Sequence, residues 1–189
     1  TFNTAGYAVT TLQYSSNGSN TKTLSLGATT WTVTGAAGSL WSISGTITLI
    51  PGTSTINITG AGNNLYFGNL TYNNVVFNYD NLSNMVMSVN DTGNTFSSFT
   101  YNTGTAPSLN QLVIGGNITT TTLLSLNSGG TYNNRLFVRS DTIGTQRNLS
   151  WTGSSSISYC DFRDINASAG AIGSIGGTMG DCGGNTNVT

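Results

Sequence analysis

The chain has 189 residues, which suits one domain large enough to bury a core. Only 6% of them are charged, against about 25% in a typical soluble domain, and the net charge is −1 with no His. This composition excludes a basic nucleic-acid footprint and a membrane-spanning helix, since no run approaches ~20 apolar residues. With apolar and aromatic residues recurring throughout, it also excludes a disordered chain.

The missing charge is replaced by Thr, Asn and Ser. Glu is absent and Lys is single, so good helix formers are scarce, whereas Thr and the aromatics favour strands. In chain order, 30–34 (Thr-Trp-Thr-Val-Thr), 40–44, 46–50 and 55–59 alternate apolar and polar residues, the mark of half-buried strands. Gly35, Gly45, Gly52 and Gly60 punctuate them as turns. Later strands are expected over 75–79, 85–89, 96–101, 111–114, 121–126, 135–139 and 157–162. The stretch 102–108, with Pro107, reads as a loop or bulge. No convincing helix is found, and 167–175 holds too many Gly for one. Residues 160–189 form a Gly-rich end, either a cap or a lead-in to a missing segment. The first residue is Thr1, and 183–189 reads as the start of another strand. The chain, a single all-β domain over 1–189, is therefore expected to be a fragment of a longer one.

Internal repetition bears on the architecture. Thr71-Tyr72-Asn73-Asn74-Val75-Val76-Phe77 is echoed sixty positions on by Thr131-Tyr132-Asn133-Asn134-Arg135-Leu136-Phe137. A looser Asn-(Leu/Ile)-(Thr/Ser) unit recurs at Asn57, Asn69 and Asn81, twelve residues apart, and again at Asn117 and Asn148. A strand and its turn take about that many residues. The preferred architecture is a β-solenoid, like a parallel β-helix, with stacked coils of short strands. An antiparallel β-sandwich or jelly roll is the alternative. The short, evenly polar runs and the single Asn-Gly dipeptide, Asn17-Gly18, favour the solenoid.

Few residues carry chemistry. Cys160 and Cys182 are twenty-two apart. With coils of ~20–24 residues they would sit on neighbouring coils ~4.8 Å apart, within reach of a disulfide. The alternative is two free thiols, as in a protein assembled in a reducing cytosol. Two Cys without His leave a zinc set incomplete, so no metal or cofactor is expected. Asp161 and Asp164 are the carboxylates to weigh for glycoside hydrolysis. An ion pair near a solenoid end is the simpler reading, and Arg139 with Asp141 reads as a charge-supported turn. Without His, the commonest general base, no Ser-His pair exists and no catalytic residues are assigned. Trp31, Trp41, Trp151, Tyr66, Tyr72 and Tyr132 are candidates for stacking on sugars, with core packing the commoner fate. The Asn-X-Ser/Thr sequons, such as Asn17, Asn90 and Asn166, are about as frequent as this composition gives by chance.

The last third is more specific. Its text runs from Asn134-Arg135-Leu136-Phe137-Val138-Arg139-Ser140-Asp141 through Ser158-Tyr159-Cys160-Asp161-Phe162-Arg163-Asp164-Ile165 to Gly180-Asp181-Cys182-Gly183-Gly184-Asn185. It resembles a segment of large β-helical virion and surface proteins of environmental, often aquatic, tailed bacteriophages. The resemblance implies a virion structural protein: a tail fibre, a tail-associated protein or a capsid decoration. It also implies a place on the virion surface or outside the cell. Self-association, for instance as a homotrimer, contact with other virion proteins and attachment to a host-surface glycan are then expected, with no nucleic acid and no membrane insertion. It brings no catalytic set. A polysaccharide-degrading β-helix enzyme and a secreted bacterial adhesin domain are the alternative functions.

Overall fold

Alternation sends every second side chain to one face of a strand, and a computed structural model of the protein turns those faces inward. It describes residues 1–61, 64–79, 86–104, 108–128, 133–168 and 178–188. The chain first winds around three sides. The strands β1 (Phe2–Asn3), β2 (Val9–Thr11) and β3 (Tyr14–Ser16) make one rung. The next is β4 (Lys22–Ser25), β5 (Thr30–Val33) and β6 (Ser39–Ile43), followed by β7 (Ile47–Ile50), β8 (Thr55–Ile58) and β9 (Asn64–Tyr66). The rungs then have two sides: β10 (Thr71–Tyr79) with β11 (Val86–Val89), β12 (Gly93–Thr103) with β13 (Ser108–Ile114), and β14 (Asn117–Asn127) with β15 (Asn134–Ser140). The stack ends with β16 (Arg147–Trp151), β17 (Ser154–Ser158), β18 (Cys160–Arg163), β19 (Ile165–Ala167) and β20 (Met179–Asp181).

Each strand pairs in parallel with its counterpart on the next rung. Sheet A is β1-β4-β7. Sheet B runs β2-β5-β8-β10-β12-β14-β16-β19, with β17 beside the second half of β14. Sheet C runs β3-β6-β9-β11-β13-β15-β18-β20. Parallel neighbours need a long connection between them, and here that connection is the rest of the coil. The fold is an all-β solenoid, and the antiparallel sandwich does not describe it.

Coil length varies while register holds. Val75 lies beside Phe99, twenty-four residues on, but Ile56 meets Val75 after nineteen and Leu123 meets Ser154 after thirty-one. The Thr-Tyr-Asn-Asn echo is therefore not a structural repeat. Sixty residues are about two and a half coils, so Val75-Val76-Phe77 lies in sheet B and Arg135-Leu136-Phe137 in sheet C. Thr131 and Tyr132 lie outside the described residues, as do Asn81, Pro107 and most of 167–175. The strand expected over 157–162 is broken by Tyr159, whose φ of 54° turns the chain from β17 into β18.

The core is a line of interlocked rings. Trp31 meets Trp41 edge to face at 5.3 Å, Phe67 meets Phe96 at 5.2 Å, and Phe77 stacks on Tyr101 at 5.3 Å. Such pairs add stabilisation to the area they bury. The buried hydroxyl of Tyr72 donates to the Phe67 carbonyl at 2.8 Å and accepts the Trp41 indole N–H at 3.3 Å. Burial raises the Tyr72 phenol far above its usual range, so it stays a neutral donor. Among the sugar-stacking candidates, Trp31, Trp41, Tyr72 and Trp151 are all buried, Tyr66 is exposed, and Tyr132 is not described.

Glycine allows the corners to stack. A Cβ on Gly60 would be driven into the backbone of Thr34 and Gly35 one rung below, and one on Gly116 into the carbonyl of Asp91. Beside the first corner of the early rungs, Thr4, Thr29 and Ser54 are buried; Thr4 and Thr29 share a hydroxyl hydrogen bond, and Thr4 also donates to the Leu26 carbonyl at 2.7 Å. Past β20 the chain returns to sheet B: Thr186 bridges Asn166, Asn185 accepts the Ile165 N–H at 2.8 Å, and Val188 is buried.

Candidate functional site

The two cysteines are not joined. Both are free, Cys160 buried and Cys182 exposed. The expected cross-rung disulfide needs equivalent positions, but Cys160 pairs with Met179 and Phe162 with Asp181. Cys182 therefore lies three residues further along its strand than Cys160, roughly 10 Å at strand rise and beyond disulfide reach. The last coil is nineteen residues, three short of the spacing the pair needs. Burial pushes the Cys160 thiol up to about 12, and partial burial also raises Cys182. Neither is an activated thiolate.

The candidate carboxylates part company too. Asp161 stands on the outer face of β18 and takes both oxygens to Arg135, each at 2.6 Å. This bidentate pair joins neighbouring strands and raises the Arg135 guanidinium through the hydrogen bond to Asp161. Asp164 sits in a corner at φ 55°, buried, and accepts the Gly144 N–H at 3.1 Å. The two do not form a pair across a cleft, and no pocket is found among the described residues. Asp141 pairs with Arg147 at 2.7 Å, not with Arg139, whose guanidinium instead donates to the Gln111 side-chain oxygen at 3.0 Å and the Ser140 carbonyl at 3.1 Å. Arg139 is directed across its strand to the preceding rung, so the turn charge is matched from β16.

The outer faces of the two long sheets differ sharply. The strands of sheet B carry a single charged residue, Arg147, at the start of β16. Elsewhere that face is mostly hydroxyl and amide. One outward column reads Thr10, Thr32, Asn57, Val76 and Thr100, and another reads Thr71, Thr95, Thr119 and Ser150. Neighbours along the stack bond to each other: Thr119 and Ser150 share hydroxyls at 3.0 Å, and in a further column Ser158 donates to Asn127 at 2.8 Å. Asn148 receives the Asn166 amide at 3.0 Å and gives its backbone N–H to Asn117 at 3.0 Å.

Sheet C carries Arg135, Phe137 and Arg139 on the outside of β15, and Asp161 and Arg163 on the outside of β18. Register places Arg139 directly beside Arg163. At strand spacing, two such charges repel by about 1 kcal/mol in bulk water and a few times more near a protein surface. Asp161 is committed to Arg135. Asp164 lies at a long 3.5 Å from Arg163. Sequence alternation placed these residues on a strand face, but only the register shows that two arginines are stacked.

Among the described residues no group of His, Cys, Asp or Glu is suited to a metal ion, and no helix is long and apolar enough to cross a membrane. No protein-family model, curated protein or solved structure matches the chain.

Proposed function

We propose that this chain is a structural protein of a tailed-bacteriophage particle, a β-helical fibre, tail-associated or capsid-decorating component on the virion surface. The observation that carries the reading is the outer face of sheet B: nine parallel strands with an almost uncharged hydroxyl and amide exterior. A surface of that kind depends little on pH or salt and suits a durable extracellular rod. The resemblance of the last third to virion proteins supports the same role. The partners are copies of this chain or other particle proteins. Phe2, Tyr7 and Leu12 are 50%, 76% and 72% exposed on and beside β1 and β2. Exposed apolar side chains of this size favour association, and a homotrimer is the fibre-like outcome. Mass spectrometry of purified particles tests the role, which is withdrawn if the chain is absent. Sedimentation at high concentration tests the assembly, and a monodisperse monomer contradicts it.

A further inference from the structure

We infer that the Arg139–Arg163 column on the outer face of sheet C, with Phe137 beside it, binds an acidic glycan bearing uronate-type carboxylates. The inference rests on the virion-surface reading and names the ligand class that face would take. The two guanidiniums occupy register-paired positions on β15 and β18. Among the described residues Arg139 has no ion pair and bonds Gln111 and a backbone carbonyl, while Arg163 makes one long ion pair, to Asp164 at 3.5 Å, that leaves part of its guanidinium uncommitted. The neighbouring acid, Asp161, is held in both oxygens by Arg135 and is not free to neutralise the column. Two adjacent forked donors make a site for a planar anion, since guanidinium matches carboxylate bidentately. The partly exposed Phe137 ring lies one alternate position along the same strand face. It offers an apolar surface to the C–H face of a sugar while the arginines take its carboxylate. A free inorganic anion would make no use of the ring, and a neutral glycan would make no use of the charge.

The test uses the full chain with oligogalacturonate and, as the neutral probe, oligogalactose of equal length, titrated calorimetrically at low and physiological salt. The expected result is at least tenfold tighter binding of the acidic oligomer. R139Q/R163Q should lose at least that factor at an unchanged thermal midpoint, and R139K/R163K, which keeps the charge but not the fork, should fall between. Phe137→Ala should weaken both oligomers. Arg147→Gln, a change on sheet B, should leave affinity alone. Equal binding of the two oligomers, wild-type affinity in R139Q/R163Q, or an equal loss in Arg147→Gln overturns the inference. So does a change of oligomeric mass in R139Q/R163Q without loss of glycan binding, which would assign the column to a protein carboxylate. A chain found in particles yet blind to uronate overturns this inference alone. A uronate-selective chain absent from particles overturns only the phage reading.

Discussion

The first three rungs and the rest of the stack solve the same packing problem with different materials. Up to β9 the coil has three sides and a buried line of Thr4, Thr29 and Ser54, its fastening is close backbone contact such as that at Gly60, and Lys22 is its one charge. From β10 the coil has two sides, its length swings between nineteen and thirty-one residues, and side-chain charges take over the fastening. Asp91 marks the change, reaching back a rung to accept the N–H groups of Phe67 and Gly68. Uniform coils can be held by close backbone contact. Coils of unequal length need side chains that reach.

The sharpest way to break that contrast is at a corner of the early rungs. Gly60→Ala should cost about 3 kcal/mol, because its Cβ would meet backbone that cannot step aside. Gly144→Ala, with open space around it but φ +78°, should cost nearer 1 kcal/mol. Urea denaturation of both variants ranks them. If Gly60→Ala is the milder, the stacked corner is not what fixes the early coils. Next comes the reach of the later rungs. Arg135→Ala strips Asp161 of both short bonds and should lose about 1–2 kcal/mol, read in the same denaturation series. In the opposite direction, Thr120→Val should gain about 1 kcal/mol, since the buried Thr120 hydroxyl has no hydrogen-bond partner among the described residues.

A smaller effect concerns pH. Burial raises the Asp91 carboxyl above its ordinary value in spite of the N–H groups that oppose the shift. The folded state therefore holds that proton more tightly than the unfolded chain. The contribution of Asp91 to stability is greatest below the ordinary carboxylate range, falls as pH rises through the raised value and is flat above it. Asp91→Asn should abolish that slope, which begins in the ordinary carboxylate range and runs upward from it, measured as the difference in urea midpoint from wild type. The least effect is expected at the cysteines. Cys182→Ser should leave the thermal midpoint unchanged, and a thiol reagent should label Cys182 in the folded protein while Cys160 reacts only on unfolding. A stabilised oxidised form would contradict the register that separates them.

Much of the fold was legible because period-two alternation is a local signal. The strands around Trp31, Trp41, Ile56, Val75 and Leu136 all lie where alternation put them. The short strands β1 to β4 escaped, since two to four residues of Thr, Ser and Lys hold too few apolar positions to show a period. The Arg139–Asp141 turn failed locally, because Asp141 turns to Arg147 and Arg139 to Gln111. The Thr-Tyr-Asn-Asn echo and the cysteine spacing assumed a constant coil, and a coil of variable length moved one partner to another sheet or another column. The Arg139–Arg163 stack was hidden for the same reason: twenty-four residues separate two arginines that backbone hydrogen bonds make neighbours.

Because each strand bonds to the rung above and below, the backbone hydrogen bonds lie along the axis of the stack. Tension along that axis loads one rung at a time, as in opening a zipper, and the weakest seam yields first. Among the described residues that seam lies where β8 and β9 meet β10 and β11, with β9 held to β11 at Asn64–Ser88 and Leu65–Val89 alone, well before the eleven-residue partners β12 and β14. Tension across the axis, along the strands, must instead shear a whole seam at once. A rod built this way is stiff against sideways drag and fails in graded steps when pulled along its axis.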